Sequence, residues 1–380
     1  MAQDSLSANI KAFVLRQYLP LAFLVAFILA MAWPLPGQAV LAPAVMGVHI
    51  VTFVNICTVF FISGLTLRTQ ELRQAFSRTA ATGTVFGMLS IIGITPLLGF
   101  AVRLLPLAPP EYVAGLTIFT LVPTTLGVGV SLAQSAKGNV GLAIFLTVAS
   151  NVVGVIFVPL WLKVMLAAGT SGVASLNINI ADIFVKLLLS NLVPTVLGKL
   201  LRDTCKPVGA WVGRNRVLLS LVNNSSLAFI IWQTLSSARE YIVNSSFGTM
   251  LLVFVSALLI HVIYLVFNAV VVKLLRVPVP EAISTIIMAS QKSAPVAVTA
   301  IAYITTDPVA QGLLAVPAVT GQLLQIFIGQ PLAHFMEGKA VAWQQAQTKL
   351  QLPVVAPGDE LVVDAGVQGE AQLKDSSVPQ

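Results

Sequence analysis

Charge is what this chain has least of. Asp, Glu, Lys and Arg make up 9% of its 380 residues, against about 25% in a soluble domain. Hydrophobic residues make up 57%, and the mean hydropathy is +0.92. A soluble fold could not hide that much apolar surface from water, so lipid must solvate much of it. Cysteine is scarce as well. Cys57 lies in an apolar run and Cys205 in a basic loop, which argues against a disulfide framework. The three histidines lack metal-ligand spacing, and no metal site or cofactor is expected. No P-loop, dinucleotide fingerprint or nucleophile elbow occurs. Neither ATP-driven transport by this chain alone nor hydrolase chemistry is therefore expected, and the chain does not read as an enzyme. Carboxylates are missing from the interiors of the apolar runs. Glu111, Asp182, Glu240, Glu281 and Asp307 fall at their ends or between them, so the buried acid of proton antiporters and many sodium sites has no candidate.

Long apolar runs are what remains. A bilayer-spanning helix needs about 20 mostly apolar residues. The pattern predicts ten spans, at 18–34, 41–63, 79–102, 112–136, 139–166, 178–201, 217–236, 247–275, 279–304 and 309–335. Turn chemistry separates them at Pro34-Leu35-Pro36-Gly37, Pro106 to Pro110, Lys137-Gly138-Asn139, Gly169 to Gly172 and Asp307-Pro308. Residues 1–17 read as a cytosolic N-terminus, without a signal-peptide cleavage site or a transit peptide. Residues 337–380 turn polar and read as a cytosolic tail, a short helix followed by disorder.

The net charge of +7 and the pI near 9.6 reflect short basic loops between apolar runs rather than a nucleic-acid surface. Arg103, Lys163 and Arg239 fall on one side of the predicted layout, and Lys186 and Lys292 lie inside spans. The rest of the 21 Lys and Arg fall on the other side. By the positive-inside rule both termini face the cytosol or its topological equivalent. Ten spans divide into five-helix repeats at 18–168 and 178–336. An odd-numbered repeat placed end to end enters the membrane in opposite orientations, the inverted-repeat design of secondary transporters. The fourth span of the first half holds Pro123, Gly127 and Gly129. Its counterpart, span nine, holds Pro295 and a polar cluster. Broken, polar backbone at membrane depth is tolerated only against a cavity or other protein, so a matched pair points to a midplane site. The expected fold is thus all-α, with discontinuous helices four and nine.

Lys292, within Ser290-Gln291-Lys292-Ser293-Ala294-Pro295, carries the sharpest signal. A charge at the bilayer centre costs several kcal/mol and usually faces a cavity. The plain alternative is a neutralised or snorkelling lysine. As a fixed cation, Lys292 could stand in for a bound ion, hold an anionic substrate or carry a proton. Lys186, beside Asp182, reads more as an anchor. Thr124 and Thr125 sit at the break in span four, and Thr147, Ser150 and Asn151 on adjacent turns of span five. Asn191, Asn223, Asn224 and Asn268 lie in later spans, and Gln322 and Gln325 in span ten. Singly, such groups often only hold helices together; around the two breaks they form a cluster. His49, Asn55 and His261 read as packing polars.

Four segments together resemble the bile acid:sodium symporter family, in its symporter-like branch. They are FFISGLTLRTQELRQAF (Phe60–Phe76), VPTTLGVGVSLAQSAKGNVGLAIFLTVASN (Val122–Asn151), ASQKSAPVAV (Ala289–Val298) and GLLAVPAVTGQLLQIFIGQPL (Gly312–Leu332). The resemblance implies a panel of spans one, two, six and seven, a core of the others, and spans four and nine crossing where they unwind. Sodium-dependent members carry a Ser-Asn pair where this chain has Thr124-Thr125, and a Glu on span nine where it has Ser290-Gln291-Lys292. That Ser-Gln-Lys run is typical of the branch. Thr147 and Ser150 match family sodium-ligand positions. The expectation is a secondary transporter of a small organic anion, working by alternating access, with sodium as the candidate coupling ion. Substrate would be bound by Thr124, Thr125, Ser290, Gln291, Lys292 and Gln325, and an ion by Thr147, Ser150 and Asn151. Expected partners are the anion, the lipid bilayer and optionally a second copy in a homodimer, with no nucleic acid. The expected location is the plastid envelope or the plasma membrane. The alternative is a non-transporting membrane regulator of ion homeostasis, for instance of calcium, acting through a partner.

Overall fold

The computed structural model describes residues 18–45, 48–68, 79–125, 127–167 and 179–351, with Val14 and Ser77 besides. The N-terminal residues before Tyr18, Val14 excepted, and the tail beyond Gln351 lie outside it, and with them most of the N-terminal segment and the predicted disorder. Residues 1–340 form one compact unit and 341–380 a second.

The described residues are almost wholly helical. α1 (Tyr18–Ala32) and α2 (Pro34–Leu41) are bent by 99° about Trp33, where Pro34 starts a new helix. α3 is Ile50–Thr66. α4 (Ala81–Leu89) passes through a π turn (Ser90–Ile94) and a 3-10 turn (Thr95–Leu98) into α5 (Gly99–Val102). α6 is Pro110–Leu121, α7 Val128–Ser135 and α8 Val140–Ala167. α9 (Ile180–Leu187) joins α10 (Val193–Thr204) through a second π turn, Leu188–Leu192. Then follow α11 (Lys206–Arg214), α12 (Arg216–Asn244), α13 (Phe247–Leu274), α14 (Val279–Ser290), α15 (Ala294–Ile304) and α16 (Pro308–Gln351).

Among the described residues six helical stretches are long and apolar enough to cross a membrane, or seven with α1 and α2 taken as one span. Four of the ten predicted spans are not continuous helices of that length: that at 18–34 is the 15-residue α1, which bends at Trp33 into α2. The segment at 41–63 becomes the 17-residue α3 behind a turn, and those at 112–136 and 279–304 are each cut in two. The all-α expectation needs one correction. Ala44–Val45 and Val48–His49 form a two-residue antiparallel ladder, pairing Ala44 with His49 and Val45 with Val48, just past Pro43, whose missing N–H cannot extend the helical run of α2. At the other end α16 runs well past 335, since Ala, Gln, Lys and Leu beyond Glu337 favour helix and no proline intervenes before Gln351.

The helices are apolar on both faces. On α13, Val253, Ala257, Ile260, Tyr264 and Val272 turn inward, while Leu251, Phe254, Leu259, Val262 and Val266 are exposed. Outward leucines and valines suit acyl chains, so burial cannot be read from polarity. Close crossings use small residues. A Cβ added to Gly64 on α3 would strike the Thr195 carbonyl, and one added to Gly198 on α10 would strike the Phe61 carbonyl, so the two glycines let α3 and α10 approach backbone to backbone.

The two cut segments start alike. α6 and α14 each have 12 residues, a proline in the first two positions and a glutamate in the first turn, Glu111 and Glu281. Proline fits the first turn because no N–H is required there, and the carboxylate offsets the helix's positive end. Apolar side chains of α6, α8, α15 and α16 pack around the interruptions, with Phe119, Val122, Leu162, Ile301 and Leu314 among them.

Candidate functional site: two broken helices that meet

The interruption after α6 runs through Val122, Pro123, Thr124 and Thr125 to Gly127, and that after α14 through Gln291, Lys292 and Ser293. They touch: the Ser293 N–H donates to the Pro123 carbonyl at 3.0 Å. Each freed backbone group around this contact must find a partner, because no water competes for it in hydrocarbon. The Lys292 N–H donates to Gln325 Oε1 (3.0 Å) and the Ala294 N–H to Gln322 Oε1 (3.1 Å), both from α16. The Thr124 carbonyl accepts from Asn151 Nδ2 (3.1 Å), which also donates to the Thr147 carbonyl (2.7 Å).

Lys292 is fully buried. Its ammonium donates to Thr95 Oγ1 (2.9 Å) and the Ile91 carbonyl (3.2 Å) and lies 5.6 Å from the centre of the Tyr264 ring. The Ile91 carbonyl has no backbone donor, because the π turn shifts the hydrogen-bond ladder just where Pro96 has no N–H to give, and it accepts from Thr95 Oγ1 (3.3 Å) beside the lysine. The neighbouring Ile92 carbonyl is taken by the Trp161 indole N–H at 2.7 Å, and the Tyr264 hydroxyl donates to the Thr95 carbonyl at 2.8 Å. The lysine thus closes a gap that a proline opened in α4–α5. Ser290, just before the break, is tied into α13. Its carbonyl meets His261 Nδ1 (3.1 Å), and its hydroxyl accepts from Asn268 Nδ2 (3.1 Å), whose Oδ1 accepts from Ser90 (2.6 Å). His261 and Asn268, seven residues apart on one helical face, are thus holders of the break. Neither they nor Thr95 stand out as such in the sequence, although that spacing and the Thr95-Pro96 pair were available signals.

Two cavities lie beside the crossing. The smaller, about 400 Å³, is lined by α3, the π turn of α9–α10 and the start of α12 on one side and by α7 and α8 on the other. The larger, about 780 Å³, lies between α1 and α12 on one side and α7, Pro295 and α16 on the other. Gly127, Ser131, Ser220, Asn223 and Asn224 line both. Thr125 lines the larger, and Thr147 and Asn151 the smaller. Thr124, Ser290, Gln291, Lys292, Gln325 and Ser150 are buried away from both. Thr147 and Ser150 donate their hydroxyls to their own helix, at Ala143 O (2.9 Å) and Thr147 O (3.3 Å). Three buried side-chain oxygens near the breaks have no hydrogen-bond partner, Thr124 Oγ1, Asn151 Oδ1 and Gln291 Oε1. Neutral oxygens left open in this way can accept from a substrate or ligate a hard monovalent cation. Lys186, by contrast, pairs with Asp182 one turn away (2.7 Å), as an anchor would.

Residues 17–338 match the SBF-like CPA transporter family. The chain is 31% identical over 344 residues to the probable sodium/metabolite cotransporter BASS4, chloroplastic, of Oryza sativa subsp. japonica, covering 88% of this chain and 78% of that protein. It is 32% identical over 290 residues to its namesake in Arabidopsis thaliana, covering 74% of this chain and 65% of the relative, so the alignment spans just under two thirds of that protein's length. It is 24% identical over 196 residues to sodium/bile acid cotransporter 7 of Rattus norvegicus, covering 48% and 52%. All three relatives are named as cotransporters, which favours transport over the regulator alternative.

Proposed function

The chain belongs to the SBF-like CPA transporter family, and from that premise we propose that it is a secondary carrier of a small organic anion, working by alternating access with sodium as the coupling ion. The observation that carries this is the contact between the two breaks, Ser293 N–H to Pro123 O, with cavities on its flank. Interrupted helices that meet beside a cavity are the usual substrate and ion site of secondary transporters.

The reading takes the chain as ten spans in two inverted five-helix repeats, 18–168 and 178–336, with 1–17 and 337–380 outside the membrane. The like beginnings of α6 and α14 support it. In this arrangement α1–α3 and α9–α12 form the panel, and α4–α8 and α13–α16 the core. Both cavities then lie on the panel–core seam, the surface along which alternating access moves. Their walls include the end of α7 and the start of α12, next to the basic Lys137 and Arg214, which supports a state open toward the cytosolic-equivalent side. Thr125 faces the larger cavity, while Thr124, Ser290, Gln291, Lys292 and Gln325 shape the crossing behind it. Thr147, Ser150 and Asn151, with Thr124 Oγ1, are the oxygen donors for sodium. The plant relatives' names include the word chloroplastic, which supports the plastid envelope as the membrane.

The test is uptake by the purified protein alone in liposomes. Radiolabelled small carboxylates are offered with and without an inward sodium gradient. Uptake of at least one acid that rises with the gradient is the expected result. Uptake indifferent to sodium removes the coupling ion, and no movement of any solute removes the carrier reading.

A further inference from the structure

Resting on the carrier reading, we infer that Arg216 is the residue that holds the anionic end of the solute, and that the smaller cavity selects singly charged anions. The geometry leaves the role open to no other cation among the described residues. Lys292, the one charge expected to meet the solute, is turned away from both cavities, and its ammonium is engaged by Ile91 O and Thr95 Oγ1. Among the described residues that line either cavity, Arg216 is the one charged side chain, and no carboxylate shares those walls. Arg216 is exposed, forms no ion pair among the described residues, and is the first residue of α12.

The surrounding chemistry sets the class of ligand. A guanidinium presents a planar fork of N–H donors that matches a carboxylate with two parallel hydrogen bonds. On the same walls, amides and hydroxyls such as Asn191, Thr195, Asn223 and Gln134 suit hydroxyl or carbonyl oxygens, and Asn223 Oδ1 has no hydrogen-bond partner. The remaining wall is apolar, with Phe60, Ile144 and Val148. A small hydroxy-monocarboxylate satisfies all three. A second carboxylate would sit in the partly desolvated cavity without a cation, which is costly. One positive charge in the walls therefore discriminates by charge number, a feature that Lys292, were it at the site, would have blurred.

The experiment uses the full chain purified in detergent. Its thermal unfolding is followed against graded 3-hydroxybutyrate and malate, which share a four-carbon hydroxy-acid skeleton and differ by one carboxylate. Ligand bound to the folded state raises the midpoint by mass action. The expected result is a saturable rise with 3-hydroxybutyrate and a smaller one with malate. In Arg216→Gln the apparent Kd for 3-hydroxybutyrate should weaken about 10- to 100-fold, the size of a lost charge-assisted hydrogen-bond pair, with Arg216→Lys in between. Arg214→Gln, two residues away and outside both cavities, is expected to respond as wild type and controls for general surface charge. An equal response in Arg216→Gln and wild type overturns the assignment, and so does a response to malate as strong as to the monocarboxylate. A wild type that responds to neither acid overturns it too. In each of those cases sodium-driven uptake in liposomes still decides the carrier reading separately, because that assay offers the wild type a range of carboxylates and reads movement of any of them, whichever residue holds the anion.

Discussion

The two helix breaks use one device in two ways. The break after α14 is sealed: Ser290, Gln291, Lys292 and Ser293 are all buried, and α13, α16 and the α4–α5 turn supply Asn268, Gln325 and Thr95 to hold them. The break after α6 is half open. Thr124 is buried, but Gly127 is exposed and lines both cavities, and a Cβ placed on it meets nothing within 4 Å. Unwinding a helix in a membrane releases backbone groups that need partners. In one break side chains supply them and the segment becomes a fixed wall; in the other the chain leaves room for a solute.

Four outcomes would sharpen or break that contrast. Largest is Lys292→Ala. It strips Thr95 and the Ile91 carbonyl of a charged donor and leaves a void in the sealed wall. Stability should fall by about 3 kcal/mol and uptake by more than tenfold, read by thermal unfolding and liposome flux. Full retention of both would show that the lysine holds nothing. Next is Gln325→Leu, which leaves the Lys292 N–H buried without an acceptor, a loss of about 1–3 kcal/mol in chemical or thermal unfolding. Third, Asn151→Leu frees the Thr124 carbonyl and removes an open oxygen. Sodium should then shift the unfolding midpoint less than in wild type, and an unchanged sodium response would detach Asn151 from any ion site. Smallest is Gly127→Ala. Its φ of −141° is negative, so no left-handed backbone is at stake, and the added methyl enters open space. The N-cap preference lost and the unfolded-chain entropy removed are opposite in sign, so stability should stay within about 1 kcal/mol. A larger loss would mean that this break is as tightly held as the other.

The two interruptions are legible in the sequence, but not that one is sealed and the other half open. Pro123, Gly127 and Pro295 announce interruptions because proline cannot join the helical ladder, and both segments do break where those residues fall. Lys292 drew attention because a charge deep in an apolar run is rare. Its partners did not, since the Ile91 carbonyl becomes an acceptor only once the π turn and Pro96 have displaced the ladder. In the sequence Arg216 is one of many basic residues marking a loop, and nothing in its neighbourhood of chain distinguishes it from Arg214. Only the placement of α12 against α7 and α8 puts one of the two on a cavity wall.

The amino-acid sequence by itself determined that the protein is solvated by lipid, where most of its long helices fall and that the segments at 112–136 and 279–304 are interrupted. Those follow from apolar length and from the local chemistry of proline and glycine. The tertiary structure alone decided which way each side chain faces. In a soluble helix, polarity marks the outer face. Here lipid outside is as apolar as protein inside, so periodicity carries no direction. Only packing turned Lys292 into the wall and Arg216 toward the cavity.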